Sequence, residues 1–474
     1  MEGADRSPER YGLSWPGKCD AVRNIDEECT AALQPFPAES VAFSETANML
    51  IEGDNLAVLR LLQQTHLGRV KLIYIDPPYN GGKDLVYRDD FREGLQGYLR
   101  ATGQLDEQGM KLNTAAETDG RYHAKWLTMI YPRLALARRL LRDDGVIFIS
   151  IDDREVHHLR LIMNELYGEE NFVACIANVN NPKGRSDDKH IATAHEYLLV
   201  YQRGNLQLHG WAPEEKVTRR YRLTDPATGR QYRELDLRKT GSNDRRADRP
   251  KLFYYFLYSE PSGDFYPTRE ESVPPGYIQI RPLREDGTDG NWRWELSTAA
   301  DRMTRLVPRL MPRRKVWSVF EKDFLEEDEI VRPTSAWLQT DINSERGSEQ
   351  MVDLGFAKET FPYPKPLGLL RRILQLATRP RAGDIVLDFF AGSCTTAHAV
   401  LALNYEDGGD RRFICVQLPE PTPAGSAART AGFSTIMEIG KARTERVIAK
   451  LASDSAHNPP GAAIDLGFQF FRLR

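Results

Sequence analysis

Asp76, Pro77, Pro78 and Tyr79 follow an apolar run in "LIYIDPPYNGG". A carboxylate at the end of a buried strand is costly unless it has a partner or a task. Pro77 and Pro78 fix φ and remove two backbone donors. The turn therefore presents acceptors only, the Asp76 carboxylate and the Pro77 carbonyl. Such a corner suits an NH2 group, and Tyr79 adds a flat face on which an aromatic ring can stack. An aminated heterocycle is the guest these four residues fit. A plain proline turn would leave Asp76 without a reason.

A second loop, Asp388-Phe389-Phe390-Ala391-Gly392-Ser393-Cys394, follows "IVLD", and Thr395 opens the next segment. By itself it is a glycine turn that any α/β protein could carry, and it contains no G-x-G-x-x-G fingerprint. Gln417 ends the run "ICVQL", with Glu420 three positions on; Lys365 stands before a helix in "YPKP". Asp54 or Asn55, in "EGDN", reads as a helix N-cap. His157, His158 and His195 invite a metal, but adjacent helical residues share no face, and the spacing is not that of a metal site. No metal is expected.

These loops need strands and helices to hold them. "NMLIEGDNLAVLRLLQQ" reads as a strand and then a helix; "RVKLIYID" and "GVIFISI" read as strands buried on both faces, because their apolar residues do not alternate. "DREVHHLRLIMNELYG" is a helix stopped by Gly168, and "EYLLVYQR" another strand. Late in the chain come the helix "KPLGLLRRILQLATR", the strand "GDIVLDFF", the helix "TTAHAVLALN", the strand "RRFICVQL", a helical stretch and the strand "GFQFFRLR". Each α/β segment has too few strands to stand alone. One doubly wound mixed α/β sheet built from both ends of the chain is expected. The expected division is an irregular arm at 1–40, a first α/β part at 41–204, an inserted domain of short strands and loops at 205–350, and a second α/β part at 351–474.

The 474 residues allow two lobes, and a charged fraction of 28% argues for a soluble protein. No apolar run approaches the roughly 18 residues of a membrane span. The N-terminus lacks an apolar core, so no secretory signal and a cytoplasmic location are expected. Five cysteines without a C-x-x-C pair offer neither a disulfide framework nor a zinc site. The net charge of −4 gives no global case for nucleic acid. From Lys216 to Lys251, however, twelve basic residues face five acidic ones, and this is where a phosphate backbone would dock. Arg238, Lys239, Arg245, Arg246 and Arg249 are the candidates, with Trp292, Arg293 and Trp294 assigned to the core of the insertion.

D-P-P-Y after a buried strand resembles the catalytic motif of DNA amino-methyltransferases. "YIDPPYNGG", "IEGDNLAVL", "GVIFISIDDREVHHLRLIMNELYGEENF", "HEYLLVY", "RKTGSNDRRADRPKLFYYF", "GNWRWEL", "FPYPKPLGLL", "VLDFFAGSCTTAHAV" and "GFQFFRLR" are similar, in order, to the modification subunits of type III restriction–modification systems. The resemblance implies a Rossmann-like class I methyltransferase fold in its circularly permuted β-class order, with the insertion as target recognition domain. It implies methyl transfer from S-adenosyl-L-methionine to N6 of adenine in double-stranded DNA, with the base flipped out of the helix. Catalysis falls to Asp76, Pro77, Pro78 and Tyr79. Cofactor contacts fall to Asp54, Asp76, Lys365, Asp388, Phe390, Ala391, Gly392, Ser393, Thr395, Gln417 and Glu420, with the amide of Gln417, or else Glu420, meeting the ribose hydroxyls. Cys394 departs from the family's F-x-G-x-G, and cysteine would be strained there if the position needs positive φ. A homodimer and a restriction or defence subunit are the implied protein partners. Methylation of cytosine at N4 is the runner-up, since relatives with that activity often carry serine in place of this aspartate. A non-catalytic DNA-specificity subunit is the third reading.

Overall fold

The computed structural model describes residues 11–81, 118–184, 188–211, 218–326, 330–457 and 464–474. Lys216 of the basic stretch lies outside them. The chain forms two compact units, Met1–Trp211 with Arg332–Arg474, and Ala212–Val331. Residues 332–350, expected in the insertion, belong to the first unit, where a short strand at Ala336–Trp337 pairs with the strand Phe172–Asn178.

In the first unit the chain runs through α1 (Lys18–Arg23), β1 (Leu33–Pro35), β2 (Met49–Glu52), α2 (Asn55–His66), β3 (Val70–Ile75), α3 (Thr118–Leu140), β4 (Leu141–Ile151), α4 (Val156–Tyr167), β5 (Phe172–Asn178) and β6 (Glu196–Gln202). The second unit carries β7 (Leu223–Thr224), β8 (Gln231–Asp236), β9 (Tyr255–Tyr258), β10 (Phe265–Thr268), β11 (Ile278–Ile280), β12 (Leu306–Met311) and β13 (Val316–Phe324). The first unit resumes with β14 (Ala336–Trp337), α5 (Leu367–Ala377), β15 (Ile385–Asp388), α6 (Thr395–Asp407), β16 (Arg412–Gln417), α7 (Ile436–His457) and β17 (Gln469–Leu473).

Ten strands form one mixed sheet in the order β1-β17-β2-β16-β15-β3-β4-β6-β5-β14. From β17 to β4 neighbours are parallel; β6 is antiparallel to both β4 and β5. The run Val70–Ile75 is buried at every position, so it serves both faces: Leu72 and Tyr74 pack into one apolar layer, Ile73 and Ile75 into the other. Helices α2, α3 and α4 cover the second layer, and α5, α6 and α7 the first. The helix after β15 thus lies on the opposite face from the helix after β3, although these two strands are neighbours. That reversal opens a crevice beyond their carboxyl ends. The expected irregular arm is a correction: within it, α1 packs on α3, Trp15 donates to Thr128 Oγ1 at 2.9 Å, and β1 pairs antiparallel with β17 to form the sheet edge.

The second unit has a three-stranded sheet, β10-β9-β11, and a four-stranded sheet, β12-β13-β8-β7. Its core gathers Leu237, Tyr254, Phe256, Ile280, Trp292, Leu306 and Val319, with Trp294 partly buried against it. Arg293 does not join this core; it is exposed and pairs with Glu321 at 2.7 Å. Trp292 is fully buried and donates its indole N–H to the Tyr254 carbonyl at 2.9 Å. Trp292→Ala removes that packing and the bond, so it is expected to cost about 3–5 kcal/mol. Urea unfolding of the variant checks this as a lowered midpoint.

Candidate active site

The carboxyl ends of β2, β16, β15, β3 and β4 share one edge of the sheet. Antiparallel β6 begins there, with Glu196 close to where β4 ends. Asp54, Gln417, Asp388, Asp76, Asp152, Asn178 and Glu196 are thereby collected from seven strands or strand ends.

Around Asp76 the geometry is tight. Lys365 Nζ lies 3.1 Å from Asp76 Oδ1 and 2.9 Å from Glu196 Oε2, and donates to the Tyr79 hydroxyl at 2.8 Å. That hydroxyl donates to Glu196 Oε2 at 3.0 Å, and Glu196 Oε1 accepts from the Asn178 amide at 3.1 Å. Lys365 also stands 5.0 Å from the centre of the Tyr79 ring. Lys365, expected as a cofactor contact, is built into the cluster around the D-P-P-Y turn. Burial raises the Asp76 carboxyl above its ordinary range; Lys365 opposes this and Glu196 adds to it. Burial pulls the Lys365 ammonium down, but Asp76 and Glu196 outweigh that and hold it charged. Burial, with Asp76 and Glu196, keeps the Tyr79 phenol neutral. The Asp76 side chain is still 28% exposed, so a guest can reach it.

The turn itself is pinned from below. Trp126 Nε1 donates to the Pro78 carbonyl at 2.6 Å, whereas the Pro77 carbonyl meets no donor among the described residues. Asn80 sits at φ 59°, and its amide donates to Glu155 Oε1 at 2.5 Å. Glu155 is fully buried and also accepts from His158 Nδ1 at 2.8 Å and from His123 Nδ1. His123, Glu155 and His158 offer ligand atoms within 4.8 Å of one another. The triad expected to tempt a metal does not assemble in this way: His157 stacks on His158, and His195 lies against Tyr197.

The second loop leaves β15 beside Asp76. Asp388 is 3% exposed and spends both oxygens on its own turn, accepting from Phe390 N–H at 3.1 Å and Thr396 Oγ1 at 2.6 Å. Burial lifts its carboxyl to about 7, against the pull of those two donors. Ala391 N–H donates to the Val416 carbonyl at 3.1 Å, and Gly392 N–H to Gln417 Oε1 at 2.8 Å. Gly392 has φ 51°, and a Cβ there would come 3.3 Å from the Phe361 ring. Cys394 does occupy the left-handed region, at φ 56°, so the strain anticipated for it is present, at a cost of roughly 1–2 kcal/mol. As N-cap of α6 it supplies no side-chain acceptor.

Gln417 is therefore placed differently from the expectation that its amide faces a diol, because the neighbouring Gly392 N–H engages it. Glu420 is half-buried, its carboxyl raised by burial, and its side chain has no partner among the described residues. Asp54 is an N-cap, accepting from Ala57 N–H at 3.1 Å, and its other oxygen lies 3.3 Å from Arg133. Its neighbour Asn55, the alternative N-cap, is instead the first helical residue; it donates to the Phe389 carbonyl at 2.6 Å and so ties α2 to the second loop. Thr395 Oγ1 donates to the Lys365 carbonyl at 3.3 Å, joining that loop to the Asp76 cluster.

Comparison with known proteins accords with this geometry. A family model described as DNA methylase (N6_N4_Mtase) matches residues 70–420. The EcoPI Mod subunit, a type III restriction–modification enzyme from Escherichia phage P1, is 34% identical over 460 residues, 95% of this chain and 70% of that protein. The type II methyltransferase M.KpnI of Klebsiella pneumoniae is 32% identical over 404 residues, 85% of this chain and 88% of that one. The crystal structure of an M1.HpyAVI–SAM complex aligns with 83% of this chain and 98% of its own at 14% identity, with a TM-score of 0.34. The sheet and the acceptor-only corner at Asp76 agree with the family model and the two sequence relatives, and the chain belongs to the DNA methylase family of N6 and N4 methyltransferases.

Proposed function

We propose that the protein transfers a methyl group from S-adenosyl-L-methionine to the exocyclic N6 of a flipped adenine in double-stranded DNA, at a specific sequence. The observation that carries this is the corner itself: an accessible Asp76 carboxylate and an unbonded Pro77 carbonyl, with Tyr79 beside them. The second loop fits the cofactor. Its uncapped helix start suits a carboxylate, a side chain at Gly392 would be strained at φ 51° and crowd the Phe361 ring, and Glu420 is open to hydroxyls. Bound there, S-adenosylmethionine supplies a methyl group on a positively charged sulfur.

The residues of the chain do the rest by positioning. Asp76 and the Pro77 carbonyl accept the two amino hydrogens, which draws the nitrogen toward a tetrahedral form and turns its lone pair outward. Tyr79 stacks on the ring, held by Glu196 and Lys365. Lys365 keeps Asp76 ionised, and Asp76 is placed to take the proton the methylated nitrogen sheds. Withdrawing the base from the duplex costs a few kcal/mol, which contacts to DNA must offset.

The second unit supports the reading as a target recognition domain. Arg245 and Arg249 are exposed, and their guanidinium groups meet no carboxylate among the described residues, although the Arg245 backbone N–H donates to Asp248 Oδ2 at 3.1 Å; the Lys239 ammonium is half-buried and likewise unpaired. Arg246 is drawn to Asp289 at 3.2 Å, and Arg238 lies 3.9 Å from Asp236 with its side chain mostly covered. Arg245→Ala with Arg249→Ala is expected to weaken DNA binding across sequences and to reduce the log–log salt slope by about 1.8, near 0.9 per lost phosphate contact. Titrations at several salt concentrations check it. The relatives that are restriction–modification subunits suggest a restriction or defence partner, and a homodimer is proposed with it.

Long-read sequencing of DNA from cells expressing the protein tests the function. Modified adenines at one recurring sequence are expected. Modified cytosines instead, or no modification from an active preparation, would overturn the adenine assignment.

A further inference from the structure

Arg443, on α7, is fully buried, yet no carboxylate lies within reach of it among the described residues. Its Nη1 donates to Ser393 Oγ at 2.9 Å and Thr395 Oγ1 at 2.6 Å, and its Nη2 lies 3.3 Å from His398 Nδ1. Its Nε has no partner among the described residues. A buried charge without a counter-charge is expensive and calls for one from elsewhere. His398 does not supply it: burial and Arg443 itself hold that ring neutral. Burial pulls the guanidinium down only to about 10, so it stays cationic at neutral pH.

The two hydroxyls show where the charge is felt. Each oxygen accepts from Arg443, so each must send its own proton onward. Thr395 donates to the Lys365 carbonyl at 3.3 Å. The Ser393 proton has no acceptor among the described residues, and Ser393 stands in the second loop, immediately before the uncapped first turn of α6. A hydroxyl that accepts from a cation donates more strongly itself.

We propose that Arg443 is the built-in counter-charge for the carboxylate of the bound cofactor's methionine end, a positioning residue acting through the Ser393 hydroxyl at the uncapped start of α6. This rests on the S-adenosylmethionine reading. It also explains an arginine kept inside a core without an acid beside it.

The test compares S-adenosylmethionine with decarboxylated S-adenosylmethionine, which keeps the sulfonium and lacks only the carboxylate. Calorimetric titration reads both Kd values for wild type, Ser393→Ala, Arg443→Met and Arg443→Lys, each checked for folding by thermal melting. Ser393→Ala is expected to weaken S-adenosylmethionine by about tenfold, about 1.4 kcal/mol, and to leave the decarboxylated ligand within about twofold. Arg443→Met is expected to do the same, with Arg443→Lys recovering part of the loss. Equal weakening of both ligands would make Arg443 a mere prop of the loop and overturn the assignment, as would no weakening by Ser393→Ala. Wild-type protein that binds neither ligand would take down the cofactor reading along with it.

Discussion

Asp76→Ala is expected to lower the methylation rate at least about a thousandfold, on the scale found when a preorganised polar group aimed at the reacting atom is removed. The loss belongs in the transfer step. On the proposed reading the side chain accepts an amino hydrogen, and the neighbouring Pro77 carbonyl alone does not orient the nitrogen. Cofactor affinity should change little, because Gly392, Ser393 and Glu420 stand on other strand ends. The fold should hold as well: Lys365 keeps its contacts with Glu196 at 2.9 Å and Tyr79 at 2.8 Å. Single-turnover methylation and calorimetric cofactor binding, measured on the same preparation, separate these effects. Full activity in the variant would remove Asp76 from the mechanism.

Lys365→Met is the second large effect. Lys365 is the cation between Asp76 and Glu196, and the pair is mostly buried, Lys365 being 16% and Asp76 28% exposed. Removing one partner of such a cluster strands its carboxylates together, which costs about 3 kcal/mol, the low end for a buried pair because the mouth is open. The pH dependence follows from the same contacts. The Asp76 carboxyl is already raised by burial and opposed by Lys365. Without the ammonium it rises further, so activity that needs the ionised acceptor falls at a higher pH than in wild type. A carboxyl whose folded pKa is raised favours the folded state below its unfolded pKa and withdraws that support as pH rises through the folded value. The stability gap between variant and wild type should therefore widen with increasing pH. Chemical denaturation and rate profiles across pH check both signs.

The parts legible in the sequence were those written in one stretch. The run Val70–Ile75 does not alternate, and this marks a strand buried on both faces; Asp76 at its end marks the site. Asp54 as N-cap and Gly168 as helix stop were equally local. The parts that were not legible depend on lateral pairing. Glu196 stands ahead of "YLLVY", an acid at a strand end like Asp76, but only the antiparallel pairing of β6 with β4 carries it to the Tyr79 hydroxyl. Gln417 was placed correctly at a strand end, yet its amide is engaged by a glycine N–H on the next strand's loop. Arg443 looks like one more surface charge in "KARTERVIAK", and nothing local says that it points inward under Ser393. The segment around β1 lacks periodicity because a three-residue edge strand has little to bury.

The most direct measurement is a crystal structure with sinefungin, an analogue that carries a carbon in place of the sulfur and an amine in place of the transferable methyl group. The ligand should lie in the crevice between the turn at Tyr79 and the bend at Gly392, its amine directed at Asp76 and its carboxylate at Ser393. A ligand bound elsewhere, for example against the cluster of His123, Glu155 and His158, or a crevice left without it, would contradict the assignment of these two loops to one reaction.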